Sequence, residues 1–60
     1  MKYYNFETIS RSLKNGLTRY LKDNNIYYEL SAGGVYWHFE ILTNEAGANK
    51  INDFIDNITI

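Results

Sequence analysis

From Phe6 to Leu21 the apolar positions are Phe6, Ile9, Leu13, Leu17, Tyr20 and Leu21. Steps of mostly three and four gather them on one face of a 3.6-residue helix. The spacing predicts a helix from about Asn5 to Asn24, with Asn5 as N-cap, Glu7 in the first turn, Lys22 near the last and Asp23-Asn24-Asn25 as the stop. Asn15-Gly16 offers a competing reading, because Asn-Gly is the strongest short hairpin signal and the residues on either side also fit period two. That register would bury Arg11 and Arg19 without partners, which is costly, so the helix is expected.

Ile26 to Leu30 and Val35 to Leu42 are dense in β-branched and aromatic residues, and Ser31-Ala32-Gly33-Gly34 separates them. This pattern predicts a β-hairpin. With Gly33-Gly34 as a two-residue turn, Leu30 faces Trp37, Tyr28 faces Phe39 and Ile26 faces Ile41, which makes one face wholly apolar and puts Trp37 in the core. The other face pairs Ser31 with Tyr36, Glu29 with His38 and Tyr27 with Glu40. Thr43 or Asn44 then caps a second helix, with Glu45 in its first turn and Ile51, Phe54, Ile55 and Ile58 as its apolar stripe.

The expected architecture is therefore a two-layer α+β domain ordered helix, β-hairpin, helix (αββα), spanning residues 1–60. The alternative treats residues 9–21 as a hairpin, giving a four-stranded β-meander followed by a C-terminal helix. A chain of that plan resembles the PC4-type single-strand-binding transcriptional coactivators, and the resemblance implies Arg11 and Arg19 on a curved sheet beside Tyr20. The apolar end, Ile58-Thr59-Ile60, is expected to dock under the first helix or to pair with another chain.

Sixty residues without a cysteine or a proline narrow the chemistry. A domain this short buries only about 60% of the surface its unfolded chain exposes, so its core is marginal and self-association is a natural remedy. Without cysteine there are no disulfides, no thiolate metal ligands and no Cys/His nucleophile, and the single histidine, His38, leaves no imidazole pair for zinc. Glu29, Glu40, Glu45, Asp53 and Asp56 lack the spacing of a calcium loop. No apolar run is long enough to span a bilayer, and Met1 to Phe6 shows no signal-peptide pattern, so a cytoplasmic location is expected.

His38, with Glu29 opposite and Glu40 two residues on, is the one acid/base grouping. Ser31 is the nearest hydroxyl, but it lacks a nucleophile-elbow context, and a hairpin face offers no pocket. Gly33-Gly34 is explained by the turn, since no helix N-terminus or Lys-Ser/Thr follows it as a phosphate loop requires. A non-enzymatic protein is expected, with no cofactor and no metal.

The net charge of −1 conceals an asymmetry. Lys2, Arg11, Lys14, Arg19 and Lys22 dominate the first 25 residues, whereas Glu29, Glu40, Glu45, Asp53 and Asp56 dominate the rest, with only Lys50 against them. Arg11, Lys14, Arg19 and Lys22 lie opposite the helix's apolar stripe and could run along phosphates, with Tyr27 and Tyr36 stacking on bases. The chain is acidic overall, however, and Glu29 and Glu40 on the same sheet repel nucleic acid, so DNA or RNA binding is the secondary expectation.

The outer sheet face carries Tyr27, Tyr36, His38 and Leu42 beside Glu29 and Glu40, and tyrosine is favoured at interfaces. Together with Ile58 and Ile60 these are the expected protein-interface residues of a homodimer or higher oligomer. In length, single-domain economy and a composition rich in asparagine, isoleucine, tyrosine and lysine, the whole chain resembles the small accessory proteins of phages and mobile elements, including anti-CRISPR and other anti-defence inhibitors. The resemblance implies a protein that acts by occupying a host protein such as a defence nuclease. It rests on no motif, so no residue's role comes with it.

Overall fold

The structure is a computed structural model that describes residues 1–59, with the backbone alone at Thr59. Its elements run β1 (Lys2–Thr8), α1 (Arg11–Asp23), β2 (Tyr27–Gly33), β3 (Tyr36–Thr43) and α2 (Glu45–Thr59). The strands form one antiparallel sheet in the order β1-β3-β2. This is an α+β domain, but the order is β-α-β-β-α and neither αββα nor the four-stranded meander.

The difference lies in residues 2–8, expected to lead into a helix and found as a strand. Tyr4, Phe6 and Thr8 turn toward the helices and are half-buried, while Tyr3, Asn5 and Glu7 are exposed. That alternation has period two, and its aromatic residues suit a pleated surface. Phe6 and Ile9 matched helical spacing only by coincidence: Phe6 packs from β1, and Ile9 is 76% exposed in the connection to α1.

The first helix starts at Ser10, whose backbone is extended (φ −86°, ψ 119°) and whose Oγ accepts the Leu13 N–H at 3.2 Å. A serine N-cap thus replaces the expected Asn5. Asn15-Gly16 lies inside α1 and makes no turn. The helix ends in a Schellman motif: the Asn25 N–H donates to the Lys22 carbonyl at 3.1 Å and the Ile26 N–H to the Leu21 carbonyl at 2.9 Å. Asn25 holds the left-handed conformation that closes the motif, at φ 56°. Ile26 then packs against the core, so the cap aims the chain directly into β2.

The hairpin turns at Gly34-Val35, one residue later than expected, with Gly33 opposite Tyr36 and Leu30 opposite Phe39. Two features fix this register. Gly34 takes φ +76°, the backbone that a Gly-first two-residue turn requires. Gly33 stays in the strand, where the Tyr36 ring lies across it: a Cβ there would come within 2.9 Å of the ring. The shift changes every cross-strand pair by two residues, so the inward and outward sets are kept.

Leu17 and Leu21 of α1, Phe39 and Ile41 of β3 and Ile51 of α2 form the buried core, with Phe6, Tyr20, Ile26, Tyr28, Leu30, Phe54 and Ile55 packed around it. Trp37, expected in that core, is only half-buried near the turn, where the Lys14 ammonium lies 5.5 Å from its ring centroid. The helices meet through Tyr20 stacked on Phe54, with centroids 4.3 Å apart. Asn44, rather than Thr43, caps α2, its Oδ1 accepting the Gly47 N–H at 2.8 Å. No helix among the described residues is long and apolar enough to cross a membrane.

Candidate functional site

Both helices contribute to the core on one side of the sheet, which leaves the other side open. The register sets out that open face in rows. Tyr3, Leu42 and Tyr27 form the first row, Asn5, Glu40 and Glu29 the second, and Glu7, His38 and Ser31 the third, with Tyr36 beyond them opposite Gly33. Tyr3 and Tyr27 are about half exposed, at 51% and 54%, and Tyr36 at 38%. Ile9 and Tyr36 line one shallow hollow at the far end, so apolar groups bracket the face at both ends. Between them lies an acidic band, and no lysine or arginine occupies an outward position on any strand. Lys2 is on the opposite parity, its ammonium 5.3 Å from the centroid of the Tyr4 ring.

Within the band, Glu29 and Glu40 are directly opposed across the β2–β3 ladder. Like charges in that position are destabilising. Part of the strain is relieved by Tyr27, whose phenol donates to Glu29 Oε2 at 2.9 Å. That hydrogen bond, and then the charge of the same carboxylate, raises the Tyr27 phenol above its ordinary 10.0. His38 pairs with Glu7, Nδ1 to Oε2 at 3.0 Å, and not with Glu29 as the expected register implied.

Glu7, His38 and Ser31 follow one another across the strands in the order acid, imidazole, hydroxyl. The resemblance to a catalytic triad stops there. His38 hydrogen-bonds to Glu7 but not to Ser31 among the described residues, and of the three only Glu7 borders the shallow hollow beside Ile9 and Tyr36. Among the described residues no three or more of the His, Asp and Glu side chains are grouped so as to hold a metal ion.

The structure therefore brings together Tyr27, Glu29, Tyr36, His38, Glu40 and Leu42. Sequence reasoning missed Tyr3, Asn5 and Glu7, although their alternation with Tyr4, Phe6 and Thr8 was the signal that could have found them. Ile58 does not belong to this face: it is 39% exposed on α2, and its Cδ1 lies 3.2 Å from where a Cβ on Gly16 of α1 would stand. Ile60 lies outside the described residues.

The cations sit on the other side. Arg11, Arg19 and Lys22 are exposed on α1, while Lys14 is half-buried, donating to Asn15 Oδ1 at 3.1 Å as well as lying over Trp37. This basic stripe is in the helical layer, whereas Tyr27 and Tyr36 lie on the opposite, open face of the sheet. No protein-family model, curated protein or solved structure matches the chain.

Proposed function

We propose that this chain is a non-enzymatic protein-binding module that works through the open face of its sheet, and that its partner presents a basic surface. The observation that carries this reading is the makeup of the face: Glu7, Glu29 and Glu40 in a central band, Tyr3, Leu42, Tyr27 and Tyr36 at its ends, and no lysine or arginine. Keeping Glu29 opposite Glu40 costs the free protein stability. A partner's arginine or lysine placed between them would remove that cost on binding and pair with both carboxylates. The flanking tyrosines supply apolar area and hydroxyls at low entropy cost.

Carboxylates spaced along a flat, rigid sheet can stand in for phosphates in a groove built to hold nucleic acid. An inhibitor of a host nuclease, acting by occupying that groove, is the role this surface suits best. Affinity capture from host extract with the wild type and two variants tests it. Leu42→Asp, on the face, should lose the captured protein, and Arg19→Glu, on α1, should keep it. The opposite pattern, or nucleic acid recovered in place of protein, contradicts the reading and favours the basic stripe of α1.

A further inference from the structure

The sheet has a second unused feature, its β1 edge. All seven residues of β1 pair with β3 in an unbroken register, and β1 pairs with no other strand among the described residues. Alternate N–H and C=O groups of β1 therefore point away from the sheet without strand partners. Exposed edges are usually blunted by proline, a bulge, an inward charge or a short strand. Here the strand is proline-free, unbulged and seven residues long, and its one inward charge, Lys2, sits at the strand's end with its ammonium drawn back over Tyr4, so the middle of the edge is unblunted. Beside the edge runs a groove of about 300 Å³ between β1 and α2, lined by Tyr4, Phe6, Ile51 and Ile55 and flanked by Asn49 and Asn52.

We propose that the occupant of this edge is a second copy of the chain, whose β1 pairs antiparallel to form a continuous sheet ordered β2-β3-β1-β1-β3-β2. A two-fold axis normal to the sheet passes through Asn5, the middle residue of Lys2–Thr8. This is the register that uses the whole strand. It places residues of equal parity opposite one another, so both helical layers fall on the same side. Tyr4 then faces the partner's Phe6 beside the groove, which gives two aromatic pairs by symmetry. On the open face Tyr3 faces the partner's Glu7, a hydroxyl against a carboxylate, and on the helical side Lys2 faces the partner's Thr8. No like charges meet.

The other surfaces are less suited to self-pairing. Two open faces laid together would oppose the bands of Glu7, Glu29 and Glu40. Self-pairing through Leu30, the middle of β2, would put each Glu29 opposite the partner's Ser31 but leave the two Glu29 residues diagonal to one another, about 7–8 Å apart, each beside its own Glu40. The dimer also doubles the open docking face into one surface, and it does not depend on what that face binds.

Mass by light scattering across a dilution series, on the wild type and two variants, tests the proposal. Asn5 is exposed and faces Glu40 of its own copy, so Asn5→Lys should fold normally. It places two ammonium groups at the axis and should raise the dimer dissociation constant roughly fivefold. The chain has no cysteine, so Asn5→Cys should form a disulfide-linked dimer on oxidation, since both kinds of antiparallel pair hold their Cα atoms within disulfide range. Ser31→Cys, on β2, should remain unlinked. A wild type that stays monomeric at all concentrations overturns the proposal. So does a dimer that Asn5→Lys leaves unchanged and that links through position 31.

Discussion

Glu29 and Glu40 occupy facing positions on neighbouring strands of the open sheet, with no lysine or arginine on those strands' outward positions to separate them. A fold selected only for stability would place an opposite charge or an aromatic pair there. Glu40→Gln should therefore stabilise the isolated protein by about 0.2–1 kcal/mol at low ionic strength, while weakening capture of the partner. Urea unfolding at low and high salt checks the first part, because the gain should shrink as salt screens the pair. A variant that is less stable than the wild type would show that the pair is not repulsive.

The core prediction concerns Phe39 and Trp37. Phe39 is fully buried between the helices and the sheet, touching the rings of Phe6 and Tyr28. Phe39→Ala should cost about 3–5 kcal/mol, comparable to the whole stability of so small a domain, and abolish the cooperative melt. Trp37→Ala removes a half-buried ring and its contact with Lys14, and should cost about 1–2 kcal/mol with the fold retained. Circular dichroism melts of the two variants separate these outcomes, and an unfolded Trp37→Ala would place the indole in the core.

At Asn25 the left-handed backbone sets the expected order of variants. A β-branched residue at φ 56° is strained, so Asn25→Val should destabilise the protein by about 1–2 kcal/mol. Asn25→Gly should be at least as stable as the wild type. Equal melting temperatures for the valine and glycine variants would mean that the cap does not hold α1 against β2.

The titration of Tyr27 gives a pH prediction. Its phenol is raised by the hydrogen bond to Glu29 and by that charge, so the folded state holds this proton longer than the unfolded chain does. The resulting stability is present below pH 10 and is lost as pH rises through the folded value. Absorbance at alkaline pH should show one tyrosine titrating late, and Glu29→Gln should move it back among the others. A titration curve unchanged by Glu29→Gln would contradict the bond.

Much of the fold was legible because two signals agreed over residues 26–42: the alternation of apolar residues and the paired glycines. The faces were read correctly even though the register was off by two, because a shift by an even number leaves each side chain on its own face. What misled the reading at the N-terminus was Phe6 and Ile9, which continue the helical spacing of Leu13, Leu17 and Leu21 while belonging to a strand and a connection. Ser10, the actual cap, carried the correct boundary. Because β1 was missed, so were Tyr3, Asn5 and Glu7; the register error put Glu29 opposite His38, where Ser31 stands, and without β1 the true partner Glu7 was out of view. Strand partners distant in sequence leave no local trace, and Glu7 meets His38 only through the pairing of β1 with β3.

The central claim is that the open sheet face is where a partner protein docks, and site-specific photo-crosslinking tests it most directly. A photoreactive phenylalanine analogue placed at Tyr27 or Tyr36, both away from the β1 edge, and as a control at Lys22 on α1, would be irradiated in host extract and the adducts sized and identified. If the proposed docking holds, one protein adduct is expected, shared by positions 27 and 36 and absent from position 22, with a basic surface at the linked site. Adducts from position 22 alone, to protein or to nucleic acid, would contradict it and move the working surface to the basic helix.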